Sequence, residues 1–219
     1  MKFKAILFDC VGVLVDSEPL TCQVLRDMLA EIGWDMTHAE CMTAFVGKTV
    51  REESARIEAH TGRAFSEAWL QDFYQRRNAA LRTNLQAIPG AALAVAAAHR
   101  ATQGRIACAS GADRFKVEMV LGQVGLLDYF AGRIFSGHEM PRSKPAPDVY
   151  LAAAAHLAVP PAHCLVIEDT AVGVTAGTAA GATVWAYCPQ PDAGAALVQA
   201  GASRLFNAMA DVATLLRVH

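Results

Sequence analysis

Three short apolar runs in this chain end in residues able to do chemistry, and a fourth such residue stands between prolines. Ala5-Ile6-Leu7-Phe8 ends in Asp9, Ile106-Ala107-Cys108-Ala109 in Ser110-Gly111, and Leu165-Val166-Ile167 in Glu168-Asp169, while Lys144 precedes Pro145 and Pro147. A buried parallel strand reads as a continuous apolar run, and open α/β sheets place their ligands beyond the carboxyl ends of the strands. Asp9 at such an end can serve as a nucleophile or a metal ligand. Each residue also has a plainer reading when taken alone. Asp9 could be a helix cap or a turn residue, Ser110-Gly111 a loop with an N-cap, and Lys144 a solvated loop lysine. Glu168-Asp169 could simply open the helix that follows, because acids favour a helix N-terminus.

The set in its order resembles the haloacid dehalogenase (HAD) superfamily, and in particular its capped sugar-phosphatase and β-phosphoglucomutase-like branch. Phe8-Asp9-Cys10-Val11-Gly12-Val13-Leu14-Val15-Asp16-Ser17-Glu18 resembles the first motif, which reads Asp-x-Asp-Gly in the phosphatases. The resemblance implies that Asp9 attacks phosphorus, that Ser110 with Gly111 binds the phosphoryl group, and that Lys144 neutralises the nucleophile and the phosphoryl oxygens. It further implies Mg²⁺ held by Asp9, the backbone carbonyl of Val11 and Asp169, with Glu168 nearby. The plainer readings do not predict all four features in this order across almost the whole chain.

The second Asp of the first motif is Val11 here. In the phosphatases that Asp protonates the leaving oxygen and later activates water, so the resemblance implies a phosphatase that binds metal and phosphate but turns over slowly. A single base separates the Asp and Val codons. Loss of a general acid and base typically costs about 10²–10⁴-fold. Two other readings stay open at this point. One is a non-catalytic or trapped phospho-ligand binder, and the other a phosphonoacetaldehyde-type phosphonate hydrolase with Lys48 as its amine. A phosphomutase is a third and weaker reading, since it needs the missing acid/base.

Positioning such residues takes a sheet and helices. Strands are expected at Ala5–Phe8, Arg105–Ala109, Arg133–Phe135, Cys164–Ile167, Thr183–Tyr187 and Arg204–Phe206. They alternate with helices near Ala91–Ala101, Phe115–Val124, Pro147–Ala155, Ala171–Ala180 and Met209–Val218. Such alternation predicts an α/β fold, a Rossmann-like parallel sheet covered by helices on both faces. Between the first strand and the first core helix the spacing is helical throughout. Leu20, Val24, Leu25, Met28, Leu29 and Ile32 form one apolar stripe ended by Gly33, and helices follow near Ala39–Phe45, Val50–Thr61 and Ser66–Leu85. Residues 17–87 are therefore expected to form an inserted all-helical cap domain, and residues 1–16 with 88–219 the α/β core.

In the cap, the segment Val46-Gly47-Lys48-Thr49-Val50-Arg51-Glu52 lies where capped relatives present a loop to substrate. Arg51, with Lys48, is the candidate to grip a second anionic group, and Arg114 could add a contact from the core but reads more simply as a helix-surface arginine.

Composition agrees with a small-molecule enzyme. The 219 residues suffice for a sizeable core and a second module. A net charge of −2 gives no basic field for nucleic acid and no polybasic membrane anchor. No apolar run is long enough to span a bilayer, and Met1-Lys2-Phe3-Lys4 leads into a strand too short for a secretory core. Cys10, Cys22, Cys41, Cys108, Cys164 and Cys188 show no metal-ligand spacing and read as reduced thiols of a cytoplasmic protein. The expected partner is a small phosphorylated metabolite, with no nucleic acid and no membrane, and a monomer is favoured.

Overall fold

A computed structural model describes residues 3–46, 48–190 and 193–218. The chain divides into two compact units, Met1–Asp16 with Gln86–His219, and Ser17–Leu85.

The larger unit is built on six parallel strands, β1 (Ala5–Phe8), β2 (Ile106–Ser110), β3 (Ile134–Ser136), β4 (Cys164–Glu168), β5 (Thr183–Tyr187) and β6 (Arg204–Phe206), in the order β3-β2-β1-β4-β5-β6. This is the Rossmann-like α/β sheet expected from the sequence. β1, β2 and β4 are buried along their whole length, which is why they read as unbroken apolar runs. The strand order reverses between β1 and β4, and at such a switch point the flanking crossovers diverge and leave a crevice at the carboxyl ends. Asp9 follows β1, and Glu168 and Asp169 end and follow β4, so these three carboxylates converge on that crevice.

Among the described residues six α-helices belong to this unit: α5 (Ala91–Ala101), α6 (Arg114–Gln123), α7 (Asp148–His156), α8 (Ala171–Ala179), α9 (Gly194–Gln199) and α10 (Val212–Leu215). One face of the sheet packs Leu7, Ala107, Ala109 and Val166 against Val149, Tyr150, Ala153, Val174 and Ala176 of α7 and α8. On α5, Ala91, Ala94 and Ala98 are fully buried, and just ahead of it a Cβ on Gly90 would lie 2.5 Å from the Ala210 nitrogen of the chain's last segment. Two helical expectations differ from the structure. Met209–Val218 forms a 3₁₀ turn and the short α10, because only Met209, Val212 and Leu216 have an apolar surface to cover. Helix α9 has no counterpart among the expected elements.

The smaller unit holds α1 (Glu18–Glu31), α2 (His38–Phe45), α3 (Ser54–Thr61) and α4 (Glu67–Asn84) around a core of Cys22, Leu25, Met28, Leu29, Trp34, Phe45, Ile57, Leu70 and Phe73. Thr37 caps α2 through a reciprocal box with Glu40, and Ser66 caps α4. The helix expected from Val50 starts only at Ser54. Ahead of it Thr49 and Glu52 close a separate turn, with Glu52 N–H donating to Thr49 Oγ1 at 3.2 Å and Thr49 N–H to Glu52 Oε2 at 2.9 Å. Gly47 of the 46–52 segment lies outside the described residues. No helix among the described residues is long and apolar enough to cross a membrane.

Candidate active site

Asp9 leaves β1 with its backbone N–H still bonded to the Ile167 carbonyl at 2.9 Å, so its position is fixed by the sheet. Its side chain accepts a hydrogen bond from Lys144 Nζ at 2.6 Å, and the same ammonium donates to Glu168 Oε1 at 2.6 Å. These residues are 135 and 24 positions from Lys144 in sequence and come together only at the switch point. The Lys144 side chain is 8% exposed, so this ion-pair triad is shielded from solvent and from salt screening.

Glu168 is fully committed. Oε1 also accepts from the Tyr150 hydroxyl at 2.8 Å, and Oε2 accepts from Asp169 N–H, Thr170 N–H and Thr170 Oγ1 at 3.0–3.1 Å. Its carboxylate occupies the space where a Cβ of Gly173 would stand. Thr170 in turn caps α8 by accepting from Gly173 N–H at 3.1 Å. Tyr150 also lays its ring 4.8 Å from Lys144 Nζ, a cation–π contact that holds the ammonium from the side. Tyr150 escaped sequence reasoning; its only signal was an aromatic residue with a polar tip in the helix just after the Lys144 loop.

One oxygen each of Asp9, Glu168 and Asp169 lie within 4.8 Å of one another. Among the described residues, Lys144 is the one ammonium that pairs within this cluster, and it bonds Asp9 and Glu168. Burial pushes Asp9 up to about 6 against the pull of Lys144, with Glu168 adding to the rise. Burial, then repulsion from Glu168 and Asp9, raises Asp169 well above the usual carboxylate range. Glu168 stays low despite its burial, because Lys144 and the surrounding donors outweigh it. Lys144 is likewise raised although burial opposes its charge, since Asp9 and Glu168 hold the proton on it. Asp169 Oδ1 is buried and has no hydrogen-bond partner. An excess of buried negative charge and an orphaned carboxylate oxygen fit a hard divalent cation, which takes oxygen ligands. Gly12 makes this approach possible, because at its φ of +82° a Cβ would overlap the Asp169 carboxylate.

Ser110 ends β2, the strand beside β1, and is 1% exposed. Its Oγ accepts from Ala112 N–H at 3.2 Å, which leaves its O–H to donate. Ser136 Oγ donates to the Ala112 carbonyl at 2.7 Å and pins the loop that carries Gly111. Among the described residues Ser110 makes no hydrogen bond to Asp9 or Lys144; it stands one strand away at the same edge. Val11 is half-buried in the turn after Asp9, where it bridges to Val15.

The remaining candidates are paired elsewhere. Arg114 donates to both Glu139 oxygens at 2.6 Å and to the Ile134 carbonyl at 2.8 Å, which makes it a brace between α6 and the β3 segment. In the helical unit, Arg51 bonds Glu67 at 2.6 Å and Lys48 pairs with Glu53 at 3.2 Å, both at the surface of that unit. All six cysteines are buried, and none is in a disulfide.

Comparison with known proteins shows the family. Residues 3–181 match the family model of the haloacid dehalogenase-like hydrolases. The 6-phosphogluconate phosphatase of Escherichia coli is 27% identical over 191 residues, covering 87% of this chain and 85% of that protein. Hexitol phosphatase B of E. coli is 32% identical, with coverage of 82% and 81%. A HAD family hydrolase from Deinococcus radiodurans, solved with bound phosphate and sodium, superposes with a TM-score of 0.80 at 34% identity over 99% of this chain and 96% of that one. By sequence, by fold and by the residues gathered at its switch point, this chain belongs to the haloacid dehalogenase-like hydrolase family.

Proposed function

We propose that the protein is a Mg²⁺-dependent phosphohydrolase of small phosphorylated metabolites, sugar phosphates or sugar acid phosphates, acting through an aspartyl-phosphate on Asp9 and slowed by Val11. The observation that carries this reading is Lys144 Nζ held at 2.6 Å from both Asp9 and Glu168 beside an orphaned Asp169 oxygen.

A phosphate monoester dianion repels a carboxylate nucleophile. Lys144 offsets part of that repulsion, and as a buried, hydrogen-bonded ammonium it is organised before substrate arrives. Ser110 Oγ–H and the Gly111 N–H are the donors for the phosphoryl oxygens. Glu168 and Tyr150 position Lys144 and do not touch substrate. Asp9, Asp169 and the Val11 carbonyl would hold Mg²⁺, with Glu168 adjacent; the bound ion supplies the rest of the charge neutralisation between nucleophile and phosphate. A backbone ligand survives the change of side chain at position 11, so metal binding is retained where turnover is not.

Residues 17–87 serve in this reading as the cap that selects substrate, with Arg51 and Lys48 as the cations for a second anionic group. Their partners Glu67 and Glu53 would have to release them. The phosphatase relatives support a sugar phosphate as substrate, and six buried cysteines outside any disulfide support a cytoplasmic setting.

The test is phosphate release from a panel of sugar phosphates with Mg²⁺, comparing this chain with Val11→Asp and Asp9→Asn. Val11→Asp is expected to raise turnover at least about a hundredfold and Asp9→Asn to abolish it. If Val11→Asp lowers activity or leaves it unchanged, position 11 serves another chemistry and the reading fails.

A further inference from the structure

In the turn Asp9-Cys10-Val11-Gly12, Cys10 is fully buried and Gly12 carries no side chain, so Val11 is the side chain that the turn presents beyond the nucleophile. Val11 has no proton to give. The proton-bearing side chains that touch Asp9 or Glu168 are all engaged: Lys144 donates to both, Tyr150 to Glu168 Oε1, and Thr170 to Glu168 Oε2. Asp169, once it ligates a cation, carries no proton either. Among the described residues, no side chain that bonds Asp9 or Glu168 is therefore left free to protonate a departing oxygen.

Resting on the phosphohydrolase reading of the same site, we propose that this chain takes its phosphoryl group from acyl phosphates, the mixed anhydrides of phosphoric acid and a carboxylic acid. An Asp9 carboxylate oxygen attacks phosphorus, the bond from phosphorus to the bridging oxygen breaks, and that oxygen leaves with the electron pair as a carboxylate. No proton moves in this step. The product, phospho-Asp9, is itself an acyl phosphate, so one such bond replaces another and the transfer is close to balanced in energy.

Leaving-group acidity sets the contrast. A carboxylic acid has a pKa of about 4 and a phenol about 10, whereas an alkyl or sugar hydroxyl is far less acidic than either. A general acid contributes about 10²–10⁴-fold and matters most for the poorest leaving group. Water attack on phospho-Asp9 also lacks a base here, and that slow step is common to every donor. Leaving-group dependence is therefore read in kcat/KM, which reports phosphoryl transfer to Asp9.

The experiment measures kcat/KM of the full chain with Mg²⁺ for acetyl phosphate, phenyl phosphate and glycerol phosphate, in parallel with Val11→Asp, Val11→Asn and Asp9→Asn. Intact-protein mass reads the phosphoenzyme. Acetyl phosphate is expected to exceed glycerol phosphate by at least about 10³-fold, Val11→Asp to narrow that gap at least about tenfold, and Val11→Asn, polar but with no acidic proton, to leave it wide. Equal kcat/KM across the donors, or a gap unmoved by Val11→Asp although turnover rises, overturns the inference while the phosphohydrolase reading stands, provided that activity still requires Asp9. Activity retained in Asp9→Asn, or no Asp9-dependent reaction with any donor, overturns both.

Discussion

Lys144 Nζ lies 2.6 Å from Asp9 Oδ1, and both side chains are more than nine-tenths buried. A buried ion pair is weak evidence for stability, but removing one partner leaves an uncompensated charge and costs about 3–5 kcal/mol. Lys144→Met is therefore expected to destabilise the fold by that order, since Asp9 and Glu168 both lose their cation. Phosphatase activity is expected to fall at least about 10²-fold. Thermal unfolding and phosphate release check the two halves separately; parental activity in Lys144→Met would remove Lys144 from the site.

The raised carboxyls give the metal-free protein a definite pH dependence. Asp9 goes from 3.8 to about 6 on folding, so the stability it contributes is complete below 3.8 and is lost as pH rises through about 6. Asp169 shifts in the same direction. Glu168 and Lys144 act outside this window, below 4.5 and above 10.5. With chelator present, the protein is expected to be less stable at about pH 7.5 than at about pH 5, by about 1.4 kcal/mol from Asp9. Mg²⁺ should restore the loss, and Asp169→Asn should flatten the dependence and abolish the response to Mg²⁺. Unfolding midpoints at the two pH values, with and without Mg²⁺, measure all of this.

Tyr150→Phe removes the hydroxyl that bonds Glu168 and keeps the ring beside Lys144. A hydrogen bond to a charged group contributes about 1.5–3 kcal/mol, so a loss at the lower end of that range is expected. Turnover should fall by less than about tenfold, because the hydroxyl acts through Glu168 and Lys144. A kcat comparison at saturating substrate distinguishes this positioning role from a direct contact.

Two glycines in the site should respond in opposite ways. Gly173→Ala drives a Cβ into the Glu168 carboxylate and is expected to cost more than about 2 kcal/mol, with loss of activity. Gly111→Ala meets no atom within 4 Å, so its stability should stay within about 0.5 kcal/mol of the parent. Chemical denaturation of the two variants is sufficient to compare them.

The strands are readable in the sequence because β1, β2 and β4 are buried on both faces, and such runs leave little room for another assignment. The carboxylates stand out because each interrupts one of those runs. Tyr150 and Gly12 are harder to find. Tyr150 sits on a helix with no local peculiarity, and its role exists only once α7 is laid across β1 and β2 and its hydroxyl reaches Glu168 at the end of β4. Gly12 shows its purpose only when Asp169, far along the chain, arrives beside it. The start of α3 is misread for a local reason, since Thr49 and Glu52 close a turn that looks like the helix's own first turn. Arg51 and Lys48 show their charge in sequence, but not the acidic neighbours that pair with them within the helical unit.

The most direct test of Asp9 as nucleophile and Val11 as the missing acid/base is to trap the intermediate. The chain is incubated with an aryl phosphate and Mg²⁺, quenched in acid, and weighed intact, with peptide mapping of the modified site. One phosphoryl group on the peptide containing Asp9 is predicted, persisting far longer in this chain than in Val11→Asp and absent from Asp9→Asn. Steady phosphate release that is unchanged in Asp9→Asn, with no phosphoryl group on the Asp9 peptide at any time, would contradict it.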